Sequence, residues 1–168
     1  MSRDRVEAAH FSPDTRDFIR LLHRHDVRYV IVGGEAVIYY GYARLTGDVD
    51  FFYEGRASNA KRLFEALLDF WGGDVPGVSE MEELMHPGLI LQFGRPPNRI
   101  DLLNQIAGVS FDAVWETRLT LSLVSDDENT PMYYIALEHL IANKQAAGRP
   151  KDLEDLSYLR SVSGSDAE

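Results

Sequence analysis

Arg28–Tyr53, RYVIVGGEAVIYYGYARLTGDVDFFY, is the stretch on which the reading of the fold turns. Arg28–Val32 (RYVIV) is a short apolar run of mostly β-branched residues, which predicts a buried strand. Gly33-Gly34 ends it, and Glu35–Gly41 reads as a helix that starts directly from that turn. Arg44–Gly47 is then a loop, and Asp48–Tyr53 (DVDFFY) is a second strand. Strand, glycine turn, helix and strand in immediate succession describe an α/β unit.

Outward from that unit the same pattern continues. Upstream, Ser12 can cap a helix with Pro13 in its first position and Asp14 and Asp17 at the positive end of its dipole. Phe18, Leu21, Leu22 and His25 then recur at helical spacing. Downstream, Ser58 or Asn59 opens a helix carrying Leu63, Phe64, Leu67 and Leu68 on one face. Gly72–Gly88 is a surface loop with a helical turn near Glu80–Met85. Leu89–Phe93 and Arg99–Leu103 are strands joined by a Gly-Arg-Pro-Pro-Asn turn. Ser110–Glu116 is a short helix, and Leu119–Val124 and Met132–Tyr134 are strands. Helices over Ala136–Ala147 and Pro150–Arg160 finish the chain, with Gly148 as the stop between them. The expected architecture is α/β (α+β): a short mixed sheet flanked by helices, with a core over residues 1–135, a C-terminal helical hairpin over 136–161 packed on it, and a frayed tail over 162–168.

Length and composition restrict the function classes. The chain has 168 residues, 45% of them hydrophobic, enough for one ordinary core. There is no cysteine, so disulfides and thiolate metal sites are excluded and any metal is held by oxygen or histidine. A formal charge of −10 argues against non-specific nucleic-acid binding. The first residues lack the apolar segment of a signal peptide, and no run is long enough to span a membrane, so a cytoplasmic protein is expected.

The chemistry sits in three places. Gly33-Gly34 lets the backbone come close to an anion such as phosphate at the start of a helix, or is simply a tight turn. Asp48 and Asp50 alternate with Val49 on a strand, so both carboxylates stand on one face. That pair suits magnesium, which takes carboxylate oxygens, water and substrate phosphate; the alternative is a solvent-facing acidic edge. Asp101 lies inside the apolar strand RIDLL, where an unpaired charge is costly. Either it pairs with Arg99 or Arg44, or it completes a three-carboxylate metal pocket and takes the proton of an attacking hydroxyl. The five histidines have no zinc spacing. Trp71 and Trp115 read as core.

Gly33-Gly34, then Arg44-x-Thr46-x-Asp48-x-Asp50, then a strand with Asp101, resembles the DNA-polymerase-β-type nucleotidyltransferase superfamily. PNRIDLL at 97–103 and LEHLI…K…GRPKDLEDL from Leu137 to Leu156 are similar to a small bacterial branch related to the nucleotidyltransferase toxins of abortive-infection type. The resemblance covers about residues 28–160. It implies that Gly33 and Gly34 cradle nucleotide phosphates, that Asp48, Asp50 and Asp101 hold the metals, Mg2+ or Mn2+, and that Arg44 and Thr46 line the phosphate pocket. It gives Lys144 a triphosphate contact, where the residue alone reads equally as part of a solvated helix face. One departure is Gly34, where many members have a serine whose hydroxyl touches phosphate.

The implied activity is transfer of a nucleoside monophosphate from a nucleoside triphosphate to an acceptor hydroxyl on a tRNA end, a protein or a small molecule. The alternative is a silent nucleotide-binding or antitoxin-like module of the same fold, with a cognate partner protein. No membrane is involved in either.

Overall fold

The computed structural model describes residues 4–166. Its chain runs β1 (Arg5–Glu7), a 3-10 turn (Ala8–His10), α1 (Pro13–Arg24), β2 (Tyr29–Val32), α2 (Gly33–Tyr39), β3 (Asp48–Tyr53), α3 (Ala57–Trp71), a second 3-10 turn (Met81–Met85), β4 (Ile90–Phe93), β5 (Arg99–Leu103), α4 (Phe111–Glu116), β6 (Leu119–Val124), β7 (Asn129–Tyr134), α5 (Leu137–Ala147) and α6 (Pro150–Asp166). The seven strands form one mixed sheet in the order β1-β6-β7-β2-β3-β5-β4. β3 pairs antiparallel with β2 and parallel with β5, and β4 returns antiparallel on β5. This is the mixed α/β sheet with flanking helices that the sequence leads one to expect. Among the described residues, no helix is long and apolar enough to cross a membrane.

Alternation along β3 sorts the two faces. Phe51 points into a layer built from α1 and α3, where Phe18 packs edge-on against both Phe51 (5.2 Å) and Phe70 (5.3 Å). Phe52 points the other way and meets Phe111 of α4 at 5.2 Å. Asp48 and Asp50 share the Phe52 face by the two-residue period of a strand. The Ser12 cap of α1 is present, its Oγ accepting from Thr15 N at 3.2 Å. Helix α3 begins at Ala57, slightly ahead of the expected start. Asn59 is not its cap. Its buried amide bonds Arg28 N, Arg28 O and Glu54 O at 2.7, 3.0 and 2.8 Å, lacing the helix to β2 and β3. Trp71 is 36% exposed at the end of α3, against the expectation of a core residue. Helix α6 continues through 162–166 of the expected frayed tail; Ala167 and Glu168 lie outside the described residues.

Strand β1 has no counterpart in the sequence reading. It pairs parallel with β6, and the turn after it carries His10 to Glu35 of α2, Nε2 to Oε1 at 2.6 Å. Tyr134 donates to the same carboxylate oxygen at 3.2 Å. Glu35 is therefore buried and held by His10 and Tyr134, so its negative charge is not left free beside the glycine turn. The hydrogen bond to Glu35 raises the His10 pKa above its ordinary 6.5, against an opposing effect of burial. The stabilisation is fully present below 6.5 and is lost as pH rises through the raised value. Denaturant unfolding of wild type and His10→Gln across pH 5.5 to 9 should show the wild-type advantage shrinking with rising pH.

Candidate active site

Across the parallel β3–β5 pair, Asp50 lies opposite Asp101 and Asp48 opposite Arg99. One carboxylate oxygen from each of Asp48, Asp50 and Asp101 lies within 4.8 Å of the other two. Among the described residues this is the cluster with the makings of a metal site. The sequence-level triad is thus brought together by register alone.

Arg99 holds two of the three acids. Its Nε donates to Asp101 Oδ1 at 2.8 Å and its Nη2 to Asp101 Oδ2 at 3.1 Å. The same Nη2 reaches Asp48 Oδ2 at 2.8 Å. The arginine–aspartate pairing weighed from the sequence and the three-acid cluster therefore coexist. Thr46 fixes the other side of Asp48, its hydroxyl donating to Oδ1 at 3.2 Å. Asp50 has no such help: its Oδ1 is buried and has no hydrogen-bond partner. Burial, then the charges of Asp48 and Asp101, pushes the Asp50 carboxyl up to about 7. Asp101 is also raised, by burial, with Arg99 working against the shift. A buried carboxylate oxygen with no donor, between two other acids, is a site that a cation would satisfy.

The glycine turn faces this cluster. Gly33 has φ +65, and a Cβ there would run into the Asp50 carboxylate, so both backbone conformation and space demand glycine. At Gly34 a Cβ would lie 2.8 Å from Thr46 Oγ1 and 2.9 Å from Arg44 Nη2. The departure from Gly-Ser has a physical reason here: the threonine hydroxyl and the guanidinium fill the space a serine would take. Gly34→Ser should force Arg44 or Thr46 aside and cost about 1–3 kcal/mol of stability, as overpacking of a filled site does. Denaturant midpoints of the two proteins measure it.

Lys144 is buried, its side chain 4% exposed, and its Nζ lies 3.1 Å from both Asp152 Oδ1 and Asp155 Oδ2. Asp155 also takes Arg44, with Nε and Nη2 each 3.0 Å from its oxygens. Asp152 takes Arg149 through Nε at 2.6 Å and the backbone N at 3.1 Å. Burial raises the Asp152 carboxyl, but Arg149 and Lys144 outweigh it and hold the group below its ordinary value. The two aspartates, in the first turns of α6, do not simply face its dipole. They anchor the hairpin to the 44–46 loop through alternating charges. Neither is Lys144 part of a solvated helix face.

These groups share a cleft of about 630 Å³, open to solvent, with the carboxylates on its floor. Gly33, Gly34, Arg44 and Thr46 line one wall, and Lys144, Arg149 and Lys151 another. Uncharged Ile90, Gln92, Leu103, Gln105, Ile106 and Asn143 also line the cleft, beside Arg99. Every residue singled out as a site candidate thus lines one cavity. The reading from sequence did not include Gln92, which lies opposite Asp101 on β4, or the grip of Arg99 on Asp48. The latter follows from register, Arg99 lying opposite Asp48 across β3 and β5, which no local spacing reveals.

Residues 15–161 match the model of a family described as nucleotidyltransferase of unknown function, DUF6036. No curated protein matches the chain.

Proposed function

The chain belongs to this nucleotidyltransferase family, and from that membership and the acidic cleft we propose that it moves a nucleoside monophosphate from a nucleoside triphosphate to an acceptor hydroxyl, releasing pyrophosphate. The observation that carries the reading is the buried, unpartnered oxygen of Asp50 beside two further carboxylates. Asp48, Asp50 and Asp101 would hold Mg2+, or Mn2+ in its place; the all-oxygen donor set suits either ion. When bound, such ions offset the negative charge of the triphosphate and of the departing pyrophosphate.

The protein's own groups do the rest. Gly33 and Gly34, having no side chains, let Asp50, Thr46 and Arg44 close up to the backbone turn that would face the phosphates. Arg44 and Lys144, held in place by Asp155 and Asp152, present positive charge to the polyphosphate. Thr46 and Arg99 orient Asp48 from two sides. The acceptor oxygen bonds to the α-phosphorus as the α–β anhydride bond breaks, and Asp101 takes the hydroxyl proton. Arg99 and Gln92 keep that carboxylate in position, Gln92 Nε2 standing 3.4 Å from Oδ2.

Incubation with magnesium, each of the four α-labelled triphosphates and a total extract tests this. Label should move to an acceptor with stoichiometric pyrophosphate. Absence of both across all four nucleotides, in extract that supplies tRNA, protein and small molecules, would refute the proposal. One observation favours a silent nucleotide-binding or antitoxin-like module instead: Arg99 already neutralises two of the three acids. That reading expects calorimetric binding of triphosphate with no pyrophosphate formed.

A further inference from the structure

Helix α1 shows one side to solvent, and its charges are sorted along that side. Asp14, Asp17, Leu21 and Arg24 recur at three- and four-residue spacing, so they form one stripe. All four line a second cavity, of about 460 Å³. Phe70 and Trp71 of α3, with Phe93 and Ile100 of the sheet, supply its apolar part. Ile100 alternates with Asp101 on β5, so this cavity and the acidic cleft lie on opposite faces of the sheet.

The fold leaves two things on this face unused. The Trp71 indole packs against Phe70 and Phe93, with ring centroids 5.3 Å away in each case, and still stands exposed on the open cavity. Asp17 is taken by Arg20 at 3.3 Å and Asp69 by His25 at 2.6 Å. Asp14 and Arg24, at the two ends of the stripe, have no ion-pair partner among the described residues. Ten residues of helix set them roughly 15 Å apart. The dipole of α1 favours an acid at its start and a base at its end, but it neither covers an indole nor fills the space between. An occupant that satisfies the whole face carries a cation and an anion at the same separation around an apolar middle. The stripe itself, reversed, meets that description.

We infer that this face is a dimer interface whose occupant is a second copy of the chain, with the two α1 helices antiparallel about a twofold axis. A twofold contact is self-complementary: where one residue meets another, the second meets the first. Asp14 then stands against Arg24 of the second copy, and Arg24 against its Asp14. The axis crosses the middle of α1 in the plane of contact. The two cavities therefore lie over one another, and the two Trp71 indoles are buried together. Burial of the indoles drives association. The ion pairs set its direction, because parallel helices would put Asp14 against Asp14 and Arg24 against Arg24. Each copy carries −10, and the resulting repulsion is largely screened at physiological ionic strength, where the Debye length is about 8 Å.

Sedimentation of the full-length protein from micromolar to near-millimolar concentration should show a monomer–dimer equilibrium. Tryptophan emission should move to the blue over the same range as Trp71 leaves water. Asp14→Arg and Arg24→Asp each bring like charges together at both contacts, and each should weaken the dimer tenfold or more. Both positions are exposed, so neither change disturbs the core. Mixing the two variants brings opposite charges together again at both contacts, so the mixture should form a mixed dimer of near wild-type strength. None of these measurements depends on nucleotide transfer. A wild type that stays monomeric throughout overturns the inference. If a small-molecule cell extract then shifts the emission of that monomer, the cavity belongs to a smaller ligand. A dimer indifferent to both charge reversals overturns it equally, as do two variants that remain monomeric when mixed.

Discussion

Asp50→Asn should abolish nucleotide transfer and at the same time make the metal-free protein harder to unfold at pH 8. The two effects have one cause. Asp50 sits half-buried between Asp48 and Asp101 with one buried oxygen unpartnered, and its carboxyl is pushed up to about 7. A group whose folded pKa lies above its ordinary 3.8 binds its proton more tightly in the folded state. Folding stability therefore falls as pH rises from that ordinary value through about 7, and stays lower above it. Asparagine keeps the shape and carries no charge, so the penalty disappears at pH 8 while little changes at pH 4. The gain is on the order of a few kcal/mol. Transfer should fall about a thousandfold or more, since metal stabilisation of a phosphoryl transition state is worth several kcal/mol. Parallel denaturation curves and pyrophosphate assays check both halves. An Asp50→Asn protein that is destabilised at pH 8, or still active, would show that the cluster is not an assembled cation site.

Lys144→Met is expected to be the most damaging single change to stability, at about 3–5 kcal/mol, because it leaves two buried aspartates short of a partner. Asp152 and Asp155 are 0% and 2% exposed at the side chain, so water cannot replace the ammonium. Against a total stability of about 5–15 kcal/mol this is a large share. Arg44 should loosen too, since it shares Asp155 with Lys144. Adding Asp155→Asn removes one orphaned charge, so the double variant should recover part of the loss rather than sum the two costs. Urea unfolding of the two single variants and the double variant measures the coupling. A purely additive result would mean that Lys144 and Asp155 do not interact.

The strands and the acidic triad were legible because they rest on short-range rules. Alternation puts Asp48 and Asp50 on one face, and a lone acid within RIDLL demands a partner. Helix starts were readable where a cap is local, as at Ser12, and not where the polar residue is used elsewhere, as at Asn59. The hairpin was read correctly as two helices and incompletely as chemistry. Nothing local distinguishes the buried Lys144 or Asp155 from the charges of an exposed helix, since their burial depends on a loop about a hundred residues away in the chain closing over them. Strand β1 escaped for the same reason: three residues carry no period, and only β6 makes them a strand.

The register that sets Asp50 against Asp101 joins positions separated by about fifty residues, a closure whose entropy must be met before any contact repays it. During synthesis, a nascent chain that has released β3 but not β5 owns two acids and no cage. The wall on the hairpin is later still, because α5 and α6 follow β5 in the chain. A chain released only as far as β5 therefore holds the three acids together but lacks the wall that carries Lys144 and Arg149, and the cleft is whole only once α6 has followed.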